Sequence, residues 1–323
     1  MIVSGYISEN RFSGLRLGDE KRLTHVNFAF AVVKDGNGSV DHWENTEAVR
    51  AFLKNKGSIK ALLSVGGWGA GGFSPAVATA EGREKFAQSL VDIMDDFGFD
   101  GIDLDWEYPC DGIAGIEFSP EDKPNFTLAV KLLREKMGSG KVLSMAAGAL
   151  QSCVDNLEID KLVGPMDLFN IMTYDMASWS CTGHHTSLYE SDISHSMCGD
   201  KAIRMYEKAG VPHEKLTLGS AFYARVYSSV YGMNVPSDGN PPGFSGGFAD
   251  TMSRVKAAGG ISYDEKAEAP YACDVAKKSF ITFDNERSIK AKREYVKSKG
   301  LAGIMFWEYS CDDDGTLLKA MTE

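Results

Sequence analysis

Apolar positions along the chain fall into short, nearly continuous runs, not into strict alternation. Runs with β-branched and aromatic residues occur at Ile2–Tyr6, His25–Val32, Ile59–Val65, Gly101–Asp105, Val142–Gly148, Leu168–Tyr174, Leu216–Tyr223 and Gly303–Trp307. A strand that is apolar on both faces must be covered on both faces, which is the condition of a parallel strand flanked by helices. Most of the intervals between these runs hold helix-like stretches: Glu44–Lys56, Ala80–Phe97, Pro120–Met137, Asn156–Leu162, Lys201–Gly210 and Glu286–Lys299. In the second of these, Phe86, Leu90, Ile93 and Met94 share one face at helical spacing. Gly210 and Gly300 stand where a left-handed cap would end a helix. Eight strands alternating with helices predict an α/β fold, a (β/α)8 TIM barrel that occupies residues 1–323 as a single catalytic-sized domain.

One interval breaks the rhythm. From Arg225 to about Phe280 the chain is aromatic, polar and glycine-rich, with Gly239-Asn240-Pro241-Pro242-Gly243, Gly246-Gly247 and Gly259-Gly260 and no long helical period. A structureless connection of that length is unusual in a compact domain. Residues 226–280 are therefore expected to form a small, mostly β insertion on the rim between strands 7 and 8.

Composition narrows the class without naming a function. The 323 residues are 43% hydrophobic and 24% charged, as in ordinary globular proteins, which excludes disordered and fibrous classes. Asp plus Glu (45) exceed Lys plus Arg (34), and the net charge of −11 argues against nucleic acid or an anionic membrane as main partner. No apolar run is long enough for a membrane-spanning helix. Met1–Tyr6 reads as a strand, not as a signal peptide. A cytoplasmic location, and export with a leader removed or replaced, both stay open. The six cysteines are scattered and include no CxxC pair, which excludes a zinc ribbon or a thioredoxin-like site and leaves room for one or two bridges. Cys181, His184 and His185 form a CxxHH cluster that admits a zinc reading.

The chemistry concentrates in Asp100-Gly101-Ile102-Asp103-Leu104-Asp105-Trp106-Glu107. Side chains alternate along a strand, so Asp103, Asp105 and Glu107 face one side and Ile102, Leu104 and Trp106 the other. Carboxylates held that close cannot all stay ionised, and at least one pKa must rise. Glu107 falls at the C-terminal end of its strand, where barrel active sites lie. This is the arrangement of a general acid kept protonated near neutral pH; carboxylate clusters also suit hard cations. The Cα atoms of Asp105 and Glu107 should lie about 6.6 Å apart, two strand steps, nearer the wide carboxyl spacing of inverting glycosidases than the narrow retaining pair. Two acids on one strand cannot flank a sugar from opposite faces, however, so a nucleophile would have to come from the substrate.

These residues carry a family resemblance. Asp100, Asp103, Asp105 and Glu107 resemble the DxxDxDxE motif of family 18 glycoside hydrolases, the chitinases. Ser64-Val65-Gly66-Gly67 resembles the family's SxGG motif, and Met172-Thr173-Tyr174-Asp175, Phe222-Tyr223-Ala224-Arg225 and Met305-Phe306-Trp307-Glu308 resemble its strand 6, 7 and 8 ends.

The resemblance implies retaining hydrolysis of β-1,4-linked N-acetylglucosamine polymers and oligomers, with the substrate's own 2-acetamido group as nucleophile. It implies Glu107 as acid and base, and Asp105 as the group that orients the acetamide and stabilises the oxazolinium. Asp103 would share a proton or hydrogen bond with Asp105, and Tyr174 would donate to the acetamide oxygen. Trp307 would form the floor under the sugar, with Tyr6, Phe30 and Met172 lining the pocket. Asp175, Tyr223 and Arg225 would bind sugar hydroxyls, and Trp68 and Trp179 would serve neighbouring subsites. Asp100, Ser64, Gly66 and Gly67 would support the site. The expected partner is chitin or chitooligosaccharide, with no metal or organic cofactor and with the protein a monomer. The substrate class points to an extracellular setting, and the insertion would form an α+β wall of the cleft. A related N-acetylglucosaminidase acting on other glycans and a non-catalytic chitin-binding lectin are the alternatives; the lectins of this fold usually lack the acid that Glu107 supplies.

Overall fold

A computed structural model describes all 323 residues. Eight parallel strands close into a barrel: β1 (Ile2–Ser8), β2 (His25–Lys34), β3 (Lys60–Gly66), β4 (Gly101–Asp105), β5 (Val142–Gly148), β6 (Leu168–Met172), β7 (Leu216–Ala221) and β8 (Gly303–Trp307). Each pairs with its sequence neighbour, and β8 pairs back onto β1 with Ile2 opposite Gly303 and Gly5 opposite Phe306. The fold is the (β/α)8 barrel that the pattern of runs predicts.

The burial explains why the strands read as continuously apolar. Outward residues such as Ile102, Leu104, Leu143, Phe169 and Ile304 are buried under the helices. Inward residues are buried as well, but many are polar: Ser4, Asn27, Ser64, Asp103, Ser144, Asn170 and Thr217 form a polar layer inside the barrel. Trp106 continues the outward side of β4, stacked on Phe73 at 5.2 Å and edge-on to Phe126. The alternation expected at the acidic strand therefore holds, with Trp106 toward the helices and Asp103 and Asp105 toward the axis.

Helices Ala80–Phe97 and Glu286–Lys299 have the expected bounds. The first is capped by Thr79, whose side chain accepts from Gly82 N, and ends on Gly98 in the left-handed conformation. Gly210 (φ 104°) and Gly300 (φ 67°) cap their helices in the same way. Strands 6 and 7 end two residues earlier than the apolar runs suggest, at Met172 and Ala221. At β6 the chain leaves the ladder because Thr173 N turns back to Ile171 O and Asp175 adopts φ 54°; at β7, Phe222 N bonds across to Trp307 O.

Between β7 and β8 lies a second sheet of five antiparallel strands, made of Gly243–Ser245, Ala224–Ser228, Ser279–Thr282, Ala269–Asp274 and Ser262–Asp264 in spatial order. It starts two residues before and ends two residues after the interval 226–280, because the strand pairs Arg225 with Thr282 and runs directly out of β7. A helix, Phe248–Ala257, lies where no helical period is evident. It is only ten residues long, and its buried positions Phe248, Thr251 and Val255 include a polar residue, so its apolar stripe is faint.

Candidate active site

The inward side chains converge on Asp103, which is fully buried. One oxygen accepts from Tyr6 Oη (2.9 Å) and Ser64 Oγ (2.8 Å), and the other from Ser144 Oγ (2.5 Å) and Asn170 Nδ2 (3.1 Å). Thr217 donates to Asn170 Oδ1 at 2.8 Å, which turns the amide so that its NH2 faces the carboxylate. Burial raises the pKa of Asp103, and these donors pull it back. Donors from β1, β3, β5 and β6 occupy both Asp103 oxygens, and Asp103 makes no hydrogen bond to Asp105 in the structure.

Asp105, one layer up, is treated very differently. It is buried, yet its Oδ1 has no hydrogen-bond partner. Its pKa is pushed well above the ordinary carboxylate value by burial first, then by the charges of Glu107 and Asp103. An unpartnered buried carboxylate oxygen is costly, and it can accept from a donor that a bound ligand brings.

Glu107 follows at the barrel mouth, almost fully buried. Burial lifts its pKa to about 7; the hydroxyl of Tyr108 pulls down and the charge of Asp175 pushes up. The sequence yields the acid but not Tyr108, since one tyrosine beside a motif carries no pattern of its own.

Asp175 holds a further carboxylate at the exit of β6. Arg225 donates Nε and Nη2 to its two oxygens, both at 2.6 Å, and Tyr223 Oη donates at 2.8 Å. His185 Nδ1 approaches at 3.5 Å. Burial alone would raise its pKa, but Arg225 and His185 reverse that and hold it well below the ordinary range. Asp175 is therefore held as an anion by Arg225 and Tyr223, with its side chain 41% exposed. His184 turns the other way, to Asp264 at 3.1 Å, so the two adjacent histidines serve separate carboxylates.

Aromatic rings shape the space above the acids. Trp307, partly exposed, stacks on Phe30 at 5.4 Å and 14°, and lies 5.9 Å from Tyr6. Met172, Tyr6, Ala146 and Met305 form an apolar base against which Tyr108, Tyr174 and Trp307 pack. Tyr174 meets Tyr223 edge-on and directs its hydroxyl to the Met305 sulfur at 3.9 Å. Trp68 and Trp179 stand on loops after β3 and β6 with about half their surface exposed (54% and 46%).

The remaining sequence candidates separate cleanly. Gly66 has φ +119°, and a Cβ there would sit 2.1 Å from Asp105 O; a Cβ on Gly67, at φ +93°, would strike the Phe30 ring at 2.7 Å. Both glycines let β3 press against the acidic strand and the aromatic floor. Asp100 lies at the opposite, N-terminal end of β4, where it pairs with Lys56 at 2.6 Å and accepts from Ala61 N; it ties strands together far from the acids.

Residues 2–312, nearly the whole chain, match the family described as glycosyl hydrolases family 18. This chain belongs to that family. Among the chain's relatives, Chitinase A1 of Niallia circulans is 33% identical over 315 residues, covering 86% of this chain and 45% of its own length. Chitinase 1 of Aphanocladium album is 34% identical over 81% of this chain and 64% of its own. This chain thus spans about half to two thirds of these relatives. A solved family 18 N-acetylglucosaminidase from Paenibacillus barengoltzii superposes with a TM-score of 0.94 at 38% identity, covering 99% of this chain and 98% of that one.

Proposed function

We propose that the protein is a family 18 chitinase that cleaves β-1,4-linked N-acetylglucosamine chains with retention, using the substrate's acetamide as nucleophile. The observation that carries the reading is the unpartnered, buried Asp105 Oδ1 beside a Glu107 whose pKa is lifted to about 7. An acetamide N–H offers Asp105 the donor it lacks. Donation from the acetamide N–H and the growing positive charge both favour the ionised form of Asp105, which would then face the oxazolinium as it forms, where charge stabilisation counts most. Glu107, protonated near neutrality, would protonate the glycosidic oxygen and then, as carboxylate, take a proton from the water that opens the ring.

The surrounding geometry supports the same assignment. A retaining pair needs a second free carboxylate across the sugar, and Asp175 is committed to Arg225, Tyr223 and His185. Tyr174 is available to donate to the acetamide oxygen, because its hydroxyl has only a sulfur for company. Trp307 would carry the apolar face of the pyranose at the cleavage point, with Asp175, Tyr223 and Arg225 beside it and Trp68 and Trp179 reaching further along the glycan.

A second reading, a family 18 N-acetylglucosaminidase that trims short chains, is favoured by the near-complete match to the Paenibacillus barengoltzii enzyme. The two part company on products from N-acetylglucosamine hexamer: internal cleavage yields mixed oligomers, whereas trimming yields mainly monosaccharide. Replacing Glu107 with Gln removes the acid and keeps its shape. Turnover of the hexamer should fall about 10²- to 10⁴-fold while binding persists; full turnover in the variant would refute the proposal.

A further inference from the structure

The insertion places a large aromatic ring at the edge of the active-site cluster that no part of the mechanism above uses. Phe244 sits on the short strand Gly243–Ser245, directly opposite Arg225. Residues opposite each other on an antiparallel pair project from the same face of the sheet, so Phe244 shares the face from which Arg225 reaches Asp175. Its ring stacks on Tyr223 at 4.9 Å and 28°, and the Arg225 guanidinium lies 5.8 Å from its centroid. One side of the ring is thus backed by two groups of the site, while the residue as a whole stays 47% exposed.

The position is a built one. Gly246 gives the ring room: a Cβ there would come within 2.6 Å of it. Three residues after Gly246, the insertion is tied to the barrel by Ala249 N, which donates to Asp313 in the loop after β8 at 3.1 Å. The ring is therefore held by neighbours on one side and open on the other. Packing does not account for the exposed side, since the buried cluster of the insertion, formed by Ala224, Val255, Ala272, Ile281 and Phe283, does not include Phe244.

We infer that Phe244 is a sugar-stacking residue on the insertion wall, taking the apolar face of an N-acetylglucosaminyl unit adjacent to the one at the cleavage point. A flat, pre-set ring suits a pyranose face, and Tyr223 and Arg225 fix its plane before substrate arrives, so little ordering is lost on binding. The contact gives the insertion a direct part in choosing longer glycans over shorter ones. The inference rests on the proposed glycan-hydrolase reading.

The test uses Glu107→Gln as a binding-competent parent. Titration calorimetry with N-acetylglucosamine hexamer would be compared for this parent and for the same chain carrying Phe244→Leu, Phe244→Ala or Phe244→Trp. Leucine keeps an apolar cover on Tyr223 but has no flat face. A stacking role predicts affinity roughly three- to tenfold weaker for both Leu and Ala, within the range of one aromatic contact, and near-parental affinity for Trp. In otherwise unmodified enzyme, the same substitutions should raise KM for the hexamer more than for the dimer and leave the pH profile in place. Equal binding by all four proteins overturns the inference, as does weakening by Ala alone, which would mark a packing role. If the parent is folded yet binds no hexamer, and the unmodified enzyme hydrolyses none, the glycan-hydrolase reading itself falls.

Discussion

The acids of β4 and of the turns at the barrel mouth differ in state because their neighbours differ, although they are the same chemical group. Asp103 is surrounded by donors, Asp105 Oδ1 has none, and Asp175 is paired with a cation. Glu107 is set by burial, by Tyr108 and by the charge of Asp175. The direction of the last effect yields a prediction. An acid catalyst must be protonated, so the alkaline limb of the pH profile of kcat/KM should lie near the Glu107 value of about 7. Asp175→Asn removes a negative charge that raises this pKa, so the limb should move to lower pH, together with a loss of activity from the broken Arg225 contact. An unmoved limb would show that Asp175 does not act on Glu107. At this scale the sequence displays the motif residues well, since a run of alternating carboxylates inside an apolar strand has few explanations. It does not display Ser144, Asn170 or Thr217, because a lone small polar residue in a strand looks the same whether it faces solvent, a helix or a buried carboxylate.

Among the elements, the ends of the strands matter more than their middles. Strands 6 and 7 release the chain early, so that Tyr174, Asp175, Tyr223 and Arg225 come from turns and from the first strand of the insertion, not from the barrel ladder. The apolar runs include Tyr174 and Tyr223 and conceal that change, since a tyrosine lining a pocket is as apolar as one in a strand. Behind these turns lies a buried brace. Lys292, from helix Glu286–Lys299, donates to Asp284 at 2.6 Å and to Thr186 at 2.7 Å. Asp284 also accepts from Ala221 N at the end of β7, and Thr186 donates to Thr173 O at the end of β6. Lys292→Met would leave Asp284 buried without its cation, which costs on the order of 3–5 kcal/mol. Thermal denaturation of the variant at neutral pH should show a Tm several degrees lower; an unchanged Tm would mean that the pair contributes nothing to holding these turns.

For the molecule as a whole, the count of eight runs is enough to predict the barrel, and the one interval without rhythm marks the place of the second sheet. The helix within that interval stays hidden because a short helix with a partly polar buried face has too weak a period to read. The net charge of −11 turns out to be uninformative about a neutral glycan. The six cysteines are all free thiols in the structure. The central claim, that Asp105 and Glu107 work with the substrate's own acetamide, binds the barrel, the acids and the committed Asp175 into one mechanism, and it has a stereochemical signature. The anomeric form of the newly released reducing end, followed by proton NMR in the first minutes of N-acetylglucosamine hexamer hydrolysis and before mutarotation, reads it directly. An excess of the β-anomer is the predicted result; an initial excess of the α-anomer would contradict the mechanism.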